Sequence, residues 1–193
     1  MPKSSAKPLH REVILGIDPG SLITGWGLIE LIGTQLHHLA HGTIAASAAM
    51  ALPSRLSQIH TGLRAIIESH QPATVSLEKV FFSRNAQSAL KLGQARGVAL
   101  LAAAERQLSI SEYSAAEIKL AVVGYGRASK EQVQRMVSAL LCLRGAIRAD
   151  AADALASAIC HAHRRSFQDL VVRSYGGVKS TSWRDYLETA AER

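Results

Sequence analysis

The sequence predicts an α/β fold in which a mixed five-stranded sheet is flanked by helices. Two observations carry this prediction: short apolar runs of strand length alternate with longer amphipathic stretches, and the first three strand-like runs follow one another without a helix between them. The chain has 193 residues, of which 48% are hydrophobic and 19% charged, as expected for one globular domain with a substantial core. No apolar run approaches the roughly 18–20 residues of a membrane span.

The first three strands are predicted to form an antiparallel meander. The continuous apolar run Val13–Asp18 is typical of a buried central strand, and a Pro-Gly-Ser turn ends it. The stretches Trp26–Ile29 and Gln35–Ile44 predict two more strands, which reverse direction near Gly33 and Thr34.

Two helices and two strands are predicted next. Apolar residues recur every three or four positions in Leu52–Ile66, which predicts an amphipathic helix that ends before Pro72. The runs Thr74–Glu78 and Ser109–Tyr113 predict the fourth and fifth strands. Between them, Asn85–Arg106 has the length of a long helix.

Three further helices complete the predicted fold. The motifs Ser114–Glu117 and Ser129–Gln132 are capping boxes, which predict helices that extend to about Val123 and Leu143. A last helix is predicted over Asp150–His161.

Four carboxylates in three separate places suggest the chemistry. Asp18 and Glu78 each end a predicted strand, while Asp150 and Asp153 are three residues apart and therefore share one face of a helix. An ionised group among apolar residues is costly unless it is paired or binds a cation, and Mg²⁺ prefers carboxylate and water ligands. Each acid also has an ordinary explanation, as a turn residue, a helix cap or a first-turn acid. All four together favour a metal site.

The net charge of +7 is concentrated in one region of the chain. Residues 79–148 contain eleven Lys and Arg against four Glu, a surplus of seven, whereas the remaining residues balance at eleven of each sign. A localised basic surplus is typical of a protein that binds a phosphate backbone, although a solvated basic face is the alternative. Combined with a Mg²⁺ site, it favours a nuclease.

Phe81 and Phe82 follow Glu78 in a predicted loop. One of the two rings is expected in the core, and the other is expected to be exposed, where it could insert between bases or stack on unpaired ones. We predict DNA contacts from Phe81 and from the neighbouring Arg84, Asn85 and Lys91.

Histidines and cysteines give no rival site in the sequence. His37, His38 and His41 lie in a strand-like run without the spacing of a zinc site, and most histidines are expected to be structural or on the surface. Cys142 and Cys160 are expected to be reduced core thiols.

Several of these motifs together resemble the RuvC family of bacterial Holliday-junction resolvases. The resemblance extends from about Val13 to His163. The motifs that carry it are Ile14–Ser21, Thr24–Gly25, Leu52–Leu56, Asn85–Ala86, Ser88–Gly97 and Ala149–Leu155.

The resemblance implies a ribonuclease H-like fold and a homodimer that makes paired nicks in opposite strands of four-way DNA junctions. It implies that Asp18, Glu78, Asp150 and Asp153 are the metal-binding catalytic residues, using Mg²⁺ with Mn²⁺ as a substitute and two ions in each active site. It also implies that the aromatic residue inserted into the junction is Phe81. The implied DNA-contacting lysines are Lys119 and Lys130.

The resemblance further implies that the RuvA and RuvB branch-migration proteins are partners. With it, we expect a disordered leader at residues 1–12, a ribonuclease H-like nuclease domain at 13–163 and a flexible tail at 164–193. The leader has no apolar central region like that of a secretory signal, and the expected location is the cytoplasm.

Two other classes of protein share part of the pattern. An actin-like ATPase or sugar kinase also begins with an apolar run followed by Asp and Gly, but it needs further phosphate and adenosine loops, which are not found after Gly42. A junction-binding protein without catalytic activity would not need all four acids.

Overall fold

The computed structural model describes residues 11–79 and 86–174, apart from the side chains of 172–174. The pattern of contacts separates the chain into two units, residues 1–163 and residues 164–193. In the second unit the structure describes only residues 164–174, which are helical. Phe81, Arg84 and Asn85, the leader before Arg11 and most of the predicted tail lie outside the described residues. No helix in the described part is long and apolar enough to cross a membrane.

The predicted mixed five-stranded sheet is confirmed, with strand order β3-β2-β1-β4-β5. The first three strands form an antiparallel meander, whereas β4 pairs in parallel with β1 on one side and with β5 on the other. The strands are β1 (Arg11–Asp18), β2 (Ile23–Ile32), β3 (Gln35–Ala45), β4 (Thr74–Glu78) and β5 (Ser109–Tyr113).

Within residues 11–79 and 86–174, five helices cover the two faces of this sheet. Strand β1 alternates between them: Ile14 packs in the apolar layer that contains α3, α4 and α5, while Leu15 and Ile17 pack in the layer that contains α1 and α2. The helices are α1 (Leu52–His70), α2 (Ala86–Ala104), α3 (Ala115–Val123), α4 (Lys130–Leu140) and α5 (Ala149–Ser174).

Both predicted capping boxes are present. The Ser114 hydroxyl accepts a hydrogen bond from the backbone N–H of Glu117, whose side chain accepts one from Ser114 N–H, and Ser129 and Gln132 repeat the arrangement. These caps fix where α3 and α4 begin, and Lys130 is therefore the first residue of α4.

Several predicted boundaries were wrong. Strand β1 begins at Arg11, inside the predicted leader, because Arg11 and Glu12 already pair with β2. Helix α4 ends at Leu140 rather than near Leu143. Helix α5 continues to Ser174 rather than ending near His161, because the residues between them include no Gly or Pro to stop it.

Candidate active site

Asp18 and Glu78 lie at the ends of neighbouring parallel strands and on the same face of the sheet. Strands β1 and β4 are aligned with Ile17 opposite Leu77, so the next residue in each strand is one of the two acids. Two residues earlier in each strand, Gly16 and Ser76 contact α5. Because side chains alternate along a strand, the two acids also face α5.

Helix α5 lies very close to this face because glycines line it. A Cβ atom on Gly16 would be 1.9 Å from the backbone oxygen of Ala154, and one on Gly25 would be 1.9 Å from that of Asp150. The sequence alone does not single out these two glycines, although a glycine inside a strand is a recognised sign of close backbone approach. Because these two positions have no side chain, the first turns of α5, which carry Asp150 and Asp153, can lie directly against the strand ends.

Polar contacts also hold α5 against the sheet. The Ser76 hydroxyl donates a hydrogen bond to the backbone oxygen of Ser157 and is 2.8 Å from the Ser157 hydroxyl, both groups being buried. Further along the helix, His161 Nδ1 is 2.8 Å from the Tyr113 hydroxyl. His161 is thus a structural histidine, as predicted for most histidines.

Asp18 lies close enough to the other three carboxylates for their charges to raise its pKa. Burial is the largest cause, followed by the charges of Asp153, Asp150 and Glu78, and together they raise the pKa of Asp18 from 3.8 to about 7. Burial, followed by the charge of Asp153, raises the pKa of Glu78 as well. The structure therefore brings together all four acids that the sequence predicts as one site.

Two lysines lie beside the acids. Lys130 Nζ is 2.6 Å from Asp153 Oδ2, and this hydrogen bond is the main reason why the pKa of Lys130 is raised. Lys119, on α3, lowers the pKa of Glu78 through its positive charge. The two predicted DNA-contacting lysines thus border the carboxylates, where they can also attract phosphate.

The donor set fits a hard divalent cation. All the donors are carboxylate oxygens, and a cation would relieve the repulsion that raises the pKa of Asp18. Among the described residues, no three His, Cys, Asp or Glu side chains are gathered closely enough to bind one ion, and Lys130 binds Asp153 instead. Mg²⁺ nevertheless keeps several waters and commonly takes only one or two carboxylates directly, with substrate phosphate supplying further oxygens.

Arg96 has a role that its charge alone does not reveal. It belongs to the basic surplus, but its guanidinium forms an ion pair with Glu112 and donates a 2.8 Å hydrogen bond to the backbone oxygen of Glu78. Arg96 therefore holds the end of β4 in place. Lys91, by contrast, is exposed on α2.

One cysteine prediction was wrong. Cys160 is buried in the core as expected, whereas Cys142 is exposed just after α4. Its positive φ of 51° shows that the chain turns sharply there, which takes the side chain away from the core.

Comparisons with known proteins give one consistent result. Residues 14–161 match the family model described as crossover junction endodeoxyribonuclease RuvC. The chain is 50% identical over 175 residues to the protein of that name from Pelobacter propionicus, covering 90% of this chain and 98% of that one. It is 56% identical over 151 residues to the Photobacterium profundum protein, covering 78% and 87% respectively.

Solved structures agree with the sequence comparisons. The structure of Thermus thermophilus RuvC in complex with Holliday junction substrate is similar to this chain with a TM-score of 0.77 and 32% identity, covering 81% of this chain and 96% of that one. That protein is a nuclease of the same family, and membership of such a family implies the use of a divalent metal.

Proposed function

The chain belongs to the crossover junction endodeoxyribonuclease RuvC family, and we propose that it resolves four-way (Holliday) junctions in recombination and repair by paired Mg²⁺-dependent nicks in opposite strands. Its mixed sheet flanked by helices is a ribonuclease H-like fold. The observation that carries the proposal is the cluster of four acids at the strand ends, bordered by two lysines.

The proposed catalytic and metal-binding residues are Asp18, Glu78, Asp150 and Asp153. When bound there, two divalent ions supply an activated water as nucleophile and stabilise the departing 3′ oxygen. Asp18, on the central strand β1 under α5, would be the carboxylate best placed to hold the ions. Mn²⁺, which also takes oxygen ligands, is expected to substitute for Mg²⁺.

Lys119 and Lys130 are proposed to bind the phosphate next to the scissile bond. Lys130 contacts Asp153 in the metal-free chain and would be free to contact phosphate once a bound cation neutralised that acid. Lys91, Arg84 and Asn85 would extend the DNA contact, and Phe81 would open a base step at the crossover.

A second copy of the chain would supply the second nick. Leu90 and Leu101 on α2 are 67% and 52% exposed, and among the described residues no atom outside the helix's own backbone and the chain neighbours lies within 4 Å of a Cβ placed on Gly93 or Gly97. A flat apolar stripe suits a self-complementary two-fold interface. We propose that this stripe is part of a homodimer interface.

The dimer can be tested by changing only the stripe. Gly97→Lys has room in a single subunit, so it should leave the fold intact but convert the dimer to a monomer. Ala65→Lys, on the exposed face of α1, is the matched control. A wild-type protein that stays monomeric on and off the junction would refute the proposal.

The activity test uses a synthetic four-way junction with both continuous strands labelled. Wild type should make two symmetric nicks with Mg²⁺ or Mn²⁺ and none with EDTA, whereas Asp18→Asn and Asp150→Asn should bind the junction but not cut it. Heterodimers of wild type and Asp18→Asn should nick one strand only. Cleavage by Asp18→Asn would rule out the proposed metal site.

We also propose a cytoplasmic location and an association with RuvA and RuvB on the junction. Both proposals rest on family membership. Co-sedimentation of the three proteins with junction DNA, compared with linear duplex, would test the association.

A further inference from the structure

Two histidines on the edge strand β3 bring their ring nitrogens together. His38 Nε2 and His41 Nδ1 are 2.8 Å apart, and the rings are tilted by 55° with centroids 4.9 Å apart. Both residues are partly buried and lie away from the carboxylates, on a strand that pairs only with β2 in the sheet formed by the described residues.

A β-bulge creates this pair. Residues three apart on a regular strand point to opposite faces of the sheet. Here His38 lies opposite Ile29 and Ala40 lies opposite Leu28, so within the described ladder Leu39 is an extra residue without a partner. The bulge reverses the alternation and turns His41 to the same side as His38. The spacing in the sequence therefore conceals the pair.

The distance between the two nitrogens is close to that required by a shared metal ion. Zinc–imidazole bonds are about 2.0–2.1 Å long, so two nitrogens on one ion at roughly 90–110° are about 2.8–3.4 Å apart. The observed 2.8 Å lies at the short end of this range. The contact is a hydrogen bond, so the ring that donates it must change tautomer on metal binding and carry its proton on its other nitrogen. We propose that His38 and His41 form a chelating site for a first-row transition-metal ion such as Zn²⁺ or Ni²⁺.

The ligand chemistry excludes Mg²⁺ from the histidine site. Imidazole nitrogen suits Zn²⁺, Ni²⁺ and Cu²⁺, whereas Mg²⁺ requires oxygen. Burial, together with the neighbouring His41, lowers the pKa of His38, which keeps that ring in its metal-binding neutral form at pH 7. In the described part of the chain no third His, Cys, Asp or Glu completes a three-ligand group, so water fills the other positions and the ion exchanges readily.

The two sites are also too far apart to share an ion. His41 lies opposite Gly27 of β2, while Asp18 lies opposite Gly25 on the far side of the same strand. Two strand spacings and two residues of rise therefore separate the backbone of His41 from that of Asp18 by a distance on the order of 12 Å. Binding at the histidines should therefore leave Mg²⁺-dependent cleavage unchanged.

The test is a calorimetric titration of the full-length protein with Zn²⁺ at pH 7.5. All proteins carry Cys142→Ser, because the exposed thiol is a rival ligand. His38→Gln and His41→Gln should each weaken binding by about tenfold or more, since the second imidazole acts at a high effective concentration. The double variant should be no weaker than either single variant, as expected for a chelate.

The matched control is His37→Gln, which removes the adjacent exposed histidine and should leave the affinity unchanged. Thermal melting and junction cleavage with Mg²⁺ verify that each variant is folded. As a second measurement, Zn²⁺ should shift the imidazole NMR signals of both His38 and His41. Equal losses in all three single variants, additive losses in the double variant, or a shift of only one ring would overturn the proposal.

Discussion

Replacing Asp18 with Asn should stabilise the metal-free protein even though it destroys the proposed activity. The pKa of Asp18 rises from 3.8 to about 7 in the folded chain because the group is buried beside three other acids. One pKa unit corresponds to about 1.4 kcal/mol, so keeping Asp18 ionised costs the folded state up to about 4 kcal/mol above pH 7. Asn is similar in shape and carries no charge.

The pH dependence gives the sign of the effect. Because the folded-state pKa is the higher one, the native protein binds the proton more tightly, and its stability falls as pH rises from about 4 to about 7. Asp18→Asn has no ionisable group at this position, so this loss of stability with rising pH is absent from the variant. Without metal, we expect the variant to be more stable than wild type by about 2–4 kcal/mol at pH 8 and similar in stability near pH 4.

The assay is urea unfolding in EDTA at pH 4.5 and pH 8, repeated with Mg²⁺. Added Mg²⁺ should stabilise wild type at pH 8 and have much less effect on Asp18→Asn, because binding to the native state alone raises stability. Glu68→Gln, at an exposed carboxylate paired with Arg64 and Arg106, is the control and should not stabilise. If wild type and Asp18→Asn lose stability equally between the two pH values, the assigned environment of Asp18 is wrong.

Three further predictions test other parts of the structure. Lys119→Ala and Lys130→Ala should each weaken junction binding and make the slope of log affinity against log salt shallower by about one; an unchanged slope would remove that lysine from the DNA contact. Gly16→Ala should lower the free energy of unfolding by about 1–3 kcal/mol because its Cβ would overlap α5. Gly93→Ala, in open space, is the control, and equal urea midpoints would contradict the close packing of α5. Phe81→Ala should reduce cleavage more than binding, with loss of 2-aminopurine fluorescence at the crossover; identical signals and rates would leave Phe82 as the candidate.

Local patterns were sufficient to predict much of the fold. Strands β4 and β5 begin and end at the predicted residues, because polar and apolar residues alternate along the first segment and largely along the second. The start of α3 could also be predicted from the sequence, since the Ser114 capping box depends only on residues three apart. The end of α5 could not be predicted in this way, because a change in composition after His163 does not by itself stop a helix.

The candidate site was predictable in its acids but not in its supports. Asp18 and Glu78 stand out because charge in an apolar strand is costly. Two supporting contacts join residues that are far apart in the chain: Gly25 with α5, and Arg96 with the Glu78 carbonyl. The spacing of residues in the sequence therefore does not predict them. The His38–His41 pair depends on the bulge in β3, which lies where β3 pairs with Leu28 and Ile29 of β2.

The buried contact between Ser76 and Ser157 sets how far along its own axis α5 can lie. Apolar side chains alone would allow a helix to slip past a sheet, since one row of small residues resembles the next, and the first turns of α5 are rich in alanine. A slip of one turn would carry Asp150 and Asp153 about 5.4 Å from the strand ends. The directional hydrogen bonds of Ser76 would be broken by such a slip. A neutral, buried serine pair therefore determines the longitudinal alignment on which the spacing of the acids depends.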